Sequence, residues 1–141
     1  MLRAVYSHPI ARNSLVRFLL VGIANTLVGL SVIWLTREVL GANDFESNLT
    51  GYIVALVVSF ILNKRWSFTF RGDAGAALLR FILVFIAAYL ANLMLVLTAI
   101  AISGNHSFWL QLLGVPAYVS LFYLGCRRYA FPAPAQVRHT S

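Results

Sequence analysis

Apolar residues in this chain run on continuously rather than alternating, and short polar stretches interrupt them. Four runs stand out. The first covers about Phe18 to Thr36. The second covers about Asn48 to Asn63, with a start at Asn48 or nearer Phe45. The third runs from about Phe81 to Ile102, and the fourth from about Phe108 to Cys126 with Pro116 inside it. A helix needs about 20 predominantly apolar residues to cross a bilayer. Membrane strands would show apolar residues at every second position, which these runs do not. The pattern predicts an all-α integral membrane protein with four transmembrane helices.

The polar breaks set a direction. Arg3, Arg12 and Arg17 precede the first run. Lys64, Arg65, Arg71 and Arg80 lie between the second and third, and Arg127, Arg128 and Arg138 follow the fourth. Ten of the eleven Lys and Arg therefore fall on one side; only Arg37 falls on the other, beside Glu38, Asp44 and Glu46. The positive-inside rule then makes both termini and the middle loop cytoplasmic. For a bacterial cell this is a multi-pass protein of the cytoplasmic (inner) membrane.

A second pattern appears when the chain is shifted by 63 residues. "RFLLVGIANTLVGL" from Arg17 overlays "RFILVFIAAYLANL" from Arg80, with eight of fourteen positions identical. The same shift pairs Gly51 with Gly114, and "KRWSF" from Lys64 with "RRYAF" from Arg127. Apolar identities alone carry little weight in membrane helices. A constant offset through arginine, glycine, dibasic and aromatic positions predicts an internal duplication. Each copy is a two-helix hairpin that enters and leaves on one side, so the two repeats are parallel. The expected organisation is a cytoplasmic segment over 1–16 and a four-helix domain over 17–131. Its repeats span about 17–68 and 80–131, and a disordered tail covers 132–141.

Composition narrows the partners. The 141 residues are 60% hydrophobic and 11% charged, whereas soluble domains carry about 25% charged residues. The net charge of +7 would suggest nucleic acid in a soluble protein. Here the cations sit between apolar runs, so they read as topology signals and contacts for anionic membrane lipid, with no nucleic-acid role. A single cysteine, Cys126, excludes an internal disulfide. His8, His106 and His139 are scattered, so neither a metal nor another cofactor is expected. The first run is too long for a signal-peptide core and lacks a small-x-small cleavage site. The sequon at Asn105 reads as a polar turn.

Polar residues inside apolar runs each require an account. Gly22, Asn25, Thr26 and Gly29 share a face of the first helix at spacings of three and four. Helix packing and a polar groove for a head group are both compatible with that face. Ser59 and Asn63 lie four apart at the end of the second helix, and Lys64, Arg65 and Trp66 follow at once. Such a cluster can bind phosphate through charge-assisted hydrogen bonds. It can equally be an interfacial anchor, with snorkelling cations and Trp66 and Tyr129 at head-group depth. The copies differ: Asn25 pairs with Ala88, Ser59 with Phe122 and Asn63 with Cys126, while Asn92 pairs with Gly29. No Asp or Glu falls within the four predicted helices, which disfavours a proton-driven exporter. No paired carboxylates, nucleophilic triad or phosphate-cradling glycine loop is present, so catalysis is not expected.

"RFLLVGIANTLVGL", Asn48 and "SFILNKRWSF", with the weaker echoes "RFILVF" and "RRYAF", resemble the GtrA-like family of small four-helix membrane proteins. The resemblance covers about 17–131. It implies a role in cell-surface polysaccharide synthesis: moving polyprenyl-phosphate-linked sugars to the outer leaflet, or alternatively recruiting a membrane glycosyltransferase. On the first reading Arg17, Lys64, Arg65, Arg80, Arg127 and Arg128 collect the anionic head group. Asn25, Ser59, Asn63 and Asn92 replace water around the sugar. On the second, the cationic loops dock the enzyme and the asparagines pack helices. Four helices form a small wall for such a path, so a homo-oligomer is compatible with either.

Overall fold

The computed structural model describes residues 13–104 and 108–133. Arg3, His8, Arg12, the Asn105 sequon, His106, Arg138, His139 and the tail beyond 133 lie outside the described residues. The described chain is all helix and connecting turn, without a strand. Helix α1 is Ser14–Trp34, α2 is Asp44–Leu62, α3 is Ala74–Ser103 and α4 is Phe108–Gly125. Wider π-type turns extend α1 over Leu35–Val39, α2 over Asn63–Ser67 and α4 over Cys126–Ala130. Three helical segments, Ser14–Val39, Asp44–Ser67 and Ala74–Ser103, are long and apolar enough to cross a membrane, and α4 is a fourth, shorter helix. The chain divides into two compact units, Met1–Arg71 and Gly72–Ser141, each built on one helical hairpin.

The first three helices begin earlier than their apolar runs, because polar caps lie outside those runs. Asn13 caps α1 through its side chain to the Leu15 N–H. Helix α2 starts at Asp44, one residue before the Phe45 alternative and four before Asn48. Asn43 accepts from the Glu46 N–H at 2.9 Å, and Glu46 accepts from the Asn43 N–H at 3.2 Å. This reciprocal box satisfies two of the orphan donors at a helix start. It also places Asp44 and Glu46 within the helix, as exposed first-turn residues. Helix α3 starts seven residues before Phe81, where Asp73 accepts from the Ala76 N–H at 2.6 Å. Its 30 residues extend about 45 Å, more than the hydrocarbon core of a bilayer.

In the first unit, α2 presents Ser47, Gly51, Ala55 and Ser59 to α1 at a spacing of four, and all are buried. The stripe continues into the following turn through Asn63 and Ser67. Facing it on α1 are Phe18, Val21 and Gly29. The backbones approach closely: a Cβ on Gly51 would run into the Ile33 side chain and the Gly29 carbonyl oxygen. Inside a bilayer, dispersion between closely packed backbones replaces the hydrophobic drive of a soluble core. Of the glycine–asparagine face, Gly29 packs against Ala55. Gly22 has open space around it, and Thr26 is exposed and bonds back to the Gly22 carbonyl. At the far end, Arg37 spans the connection to reach Asp44 at 2.7 Å and also touches Glu38 at 3.5 Å.

In the second unit, α3 buries Ala77, Phe81, Val84 and Ala88. Aromatic rings fill its seam with α4. Phe81 meets Phe122 at 5.3 Å and Phe131 at 5.9 Å between ring centroids, and Tyr118 stacks on Phe122 at 5.6 Å. Gly125 leaves room for Val84, whose branches a Cβ there would strike. Large apolar side chains such as Leu19, Ile23, Leu27, Leu79, Leu90 and Leu121 point outward from both hairpins, the arrangement lipid-facing positions take.

Candidate functional site

Each hairpin ends in a basic π-turn. In the first, the helix overruns by one residue. The Asn63 carbonyl accepts from the Phe68 N–H at 2.9 Å, five residues on, instead of the usual four. Asn63 itself is 1% exposed. Its Nδ2 donates to the Ser59 carbonyl at 2.9 Å and to the Ser59 hydroxyl at 3.2 Å. The Ser59 carbonyl can only accept, so the amide nitrogen must face it, which leaves Asn63 Oδ1 pointing elsewhere. That oxygen has no partner among the described residues, and neither does the buried Ser67 hydroxyl. A buried polar group left unsatisfied costs about 1–3 kcal/mol.

Arg17 on α1 ties this turn down. Its Nη1 donates to the Trp66 carbonyl at 2.6 Å. Beside that bond, Phe18 packs on Phe68 with ring centroids 6.1 Å apart. Lys64 is half-buried and Arg65 exposed on the same turn. Neither has a carboxylate partner among the described residues, whose ion pairs belong to Arg37. The two cations are therefore available to an anion. Past the turn, Thr69 takes a φ of +48°, a left-handed conformation uncommon for a β-branched residue.

The second hairpin repeats this geometry 63 residues later. The Phe131 N–H donates to the Cys126 carbonyl at 2.8 Å. Arg80 reaches the Tyr129 carbonyl at 3.5 Å, a weak counterpart of the Arg17 bond, and donates to the Ala76 carbonyl at 3.2 Å. Phe81 and Phe131 pair as Phe18 and Phe68 do. Arg127 lies 3.4 Å from the Tyr123 hydroxyl, and Arg128 is exposed. Cys126 and Ala130, the equivalents of Asn63 and Ser67, are fully buried.

Of the residues expected at a head-group site, the first unit brings Arg17, Ser59, Asn63, Lys64, Arg65 and Trp66 together at one turn. Asn25 stands apart, about 12 Å up α1 from Arg17 by helical rise. Its Oδ1 is buried without a partner among the described residues. The second unit gathers Arg80, Arg127, Arg128 and Tyr129, while Asn92 lies about 18 Å up α3 from Arg80. Asn92 Oδ1 occupies the space that a Cβ on Gly114 would need, a packing contact in place of the Gly29–Gly51 approach. Tyr52 and Tyr89 project outward, and Tyr118 belongs to the aromatic seam. Ser67 and Ser47 escaped the sequence reading; their four-residue register with Gly51, Ala55, Ser59 and Asn63 was the available signal. No cluster of His, Cys, Asp and Glu able to hold a metal occurs among the described residues.

Long apolar helices, outward apolar side chains and basic turns at hairpin ends define a helical, multi-pass membrane protein. The chain belongs to the GtrA/DPMS family: the model of that family's transmembrane domain matches residues 17–131. The match takes in both hairpins and both basic turns. No curated protein matches the chain by sequence.

Proposed function

We propose that this protein moves a polyprenyl-phosphate-linked sugar across the bacterial cytoplasmic membrane for cell-surface polysaccharide synthesis. The observation that carries the reading is family membership across 17–131. In this reading all four helices span the bilayer as two duplicated, parallel hairpins, with termini and basic turns on the cytoplasmic side. The duplication is supported by the contacts that recur at an offset of 63: the turn-closing bond, the arginine-to-carbonyl bond and the phenylalanine pair. The prenyl chain stays in lipid, and only the head group crosses. Lys64, Arg65, Arg127 and Arg128 collect the phosphate, because each is at least partly exposed and carries no carboxylate partner among the described residues. Arg17 and Arg80 act through the turns they hold. Asn25, Ser59, Asn63 and Asn92 offer polar steps to the sugar. No bond in the substrate is made or broken.

One observation favours a second reading, a scaffold that recruits a membrane glycosyltransferase. Asn63 and Ser59 are buried and bonded to each other, as packing residues would be. The two readings part in reconstituted vesicles. A translocase speeds transbilayer movement of a polyprenyl-phosphate hexose, and the double substitution of Lys64 and Arg65 by Ala slows it at least tenfold. A wild-type rate equal to that of protein-free vesicles sinks the translocase. Co-purification with a transferase, at an unchanged rate of lipid movement, establishes the scaffold.

A further inference from the structure

We infer that the first hairpin's turn holds a hydroxyl group of the ligand at Asn63 and Ser67, separately from the cations that hold its phosphate. The inference rests on the proposed sugar-lipid reading and assigns the two parts of that ligand to different residues. Asn63 Oδ1 and the Ser67 hydroxyl are unpartnered among the described residues, and both residues are 1% exposed. Buried polar atoms in native proteins nearly always have a partner, so two at one turn point to a group that completes them. The fold itself does not require them. The second hairpin closes the same turn with Cys126 and Ala130 at these positions, equally buried.

The hydrogen-bond inventory identifies the missing group. Asn63 spends both amide hydrogens on Ser59, so only an acceptor remains. Ser67 offers a donor and an acceptor. The complement is an O–H that donates to Asn63 Oδ1 and accepts from Ser67. A phosphate oxygen, carrying charge and no hydrogen, would be set against Oδ1 and is disfavoured there. Its place is on Lys64 and Arg65. A sugar hydroxyl and a water molecule share the O–H chemistry; the sugar is the occupant inferred, and the ligand series separates them.

The test measures binding of two lipids to the full-length protein in nanodiscs: a polyprenyl phosphate, and the same lipid bearing one hexose. The wild type is expected to prefer the hexose lipid about tenfold, the scale of two modest hydrogen bonds. Asn63→Cys with Ser67→Ala gives the first turn the residues of the second. This variant should lose the preference while binding the bare phosphate as before. Replacing Lys64 and Arg65 by Ala should weaken both lipids alike. Retention of the preference by the Asn63→Cys, Ser67→Ala variant overturns the inference and leaves only a resident water at the turn. Equal loss of both lipids overturns it too. Wild-type protein that binds neither lipid removes the sugar-lipid reading itself. Thermal melting verifies folding. Should the double variant fail to fold, Ser67→Ala alone, which removes one unpaired hydroxyl, must reduce the preference for the inference to stand.

Discussion

Along α2 and its turn, Ser47, Gly51, Ala55, Ser59, Asn63 and Ser67 face α1 at every fourth residue. Sixty-three positions on, Gly114, Tyr118, Phe122, Cys126 and Ala130 occupy the equivalent places in the second unit. The first seam is narrow and polar, and lets backbones meet at Gly29 and Gly51. The second is filled by rings, with Asn92 spacing the helices at Gly114. Both end in the same π-turn, tied by an arginine to a carbonyl 49 residues away. The turn and its cations therefore do not depend on how the seam is packed. The seams differ in packing, small and polar in one and ring-filled in the other, and each holds buried oxygens without a partner among the described residues: Ser47 Oγ, Asn63 Oδ1 and Ser67 Oγ in the first, and Asn92 Oδ1 in the second.

Three pairs of substitutions probe that division, measured as equilibrium unfolding in detergent. Phe81→Ala should have the largest effect, a loss of about 3–5 kcal/mol, because it empties the centre of a ring cluster. Its equivalent Phe18→Ala should cost less, since the first seam is lined by small residues; equal losses would mean that both seams rely on aromatic packing. Arg17→Ala should cost about 1.5–3 kcal/mol, the range for a charged donor on a carbonyl. It should also speed hydrogen exchange at the Phe68 amide. Arg80→Ala should cost under about 1 kcal/mol, given its 3.5 Å contact. The smallest contrast is between the two glycines. Gly51→Ala adds about 1–3 kcal/mol of overpacking against the Ile33 side chain and the Gly29 carbonyl, offset by about 1 kcal/mol of helix propensity. At Gly114 the nearest obstruction is the tip of Asn92, which can rotate, with a Val96 methyl beyond it, so Gly114→Ala should cost less than Gly51→Ala.

Hydropathy made the helices legible, and cation placement made their basic ends legible. Helix starts were less so, because capping residues are polar and lie outside the apolar runs. The Asn43-x-x-Glu46 box and Asp73 were visible as capping signals but sat among loop residues. The pairing of Ser59 with Asn63 was legible from their spacing, and so was their position beside Lys64. What spacing does not reveal is direction. A residue four positions from its neighbour can face lipid, water or the partner helix, and Asn63 faces the partner helix. The arginine-to-carbonyl ties were also hidden. Sequence motifs record side chains, and the acceptors here are backbone atoms of Trp66 and Tyr129.

The ion pair between Arg37 and Asp44 has an electrical consequence. At that end of the first hairpin a single cation stands against Glu38, Asp44 and Glu46. At the other end stand Arg17, Lys64, Arg65 and Arg71. The hairpin is thus a rod with opposite charge at its two ends, separated by about 35 Å of helix. A transmembrane voltage acts on each elementary charge carried across it with about 2.3 kcal/mol per 100 mV. On the proposed topology, with its basic end on the negative side, the hairpin would sit in the low-energy orientation of that field, and inverting it would work against the voltage at both ends at once.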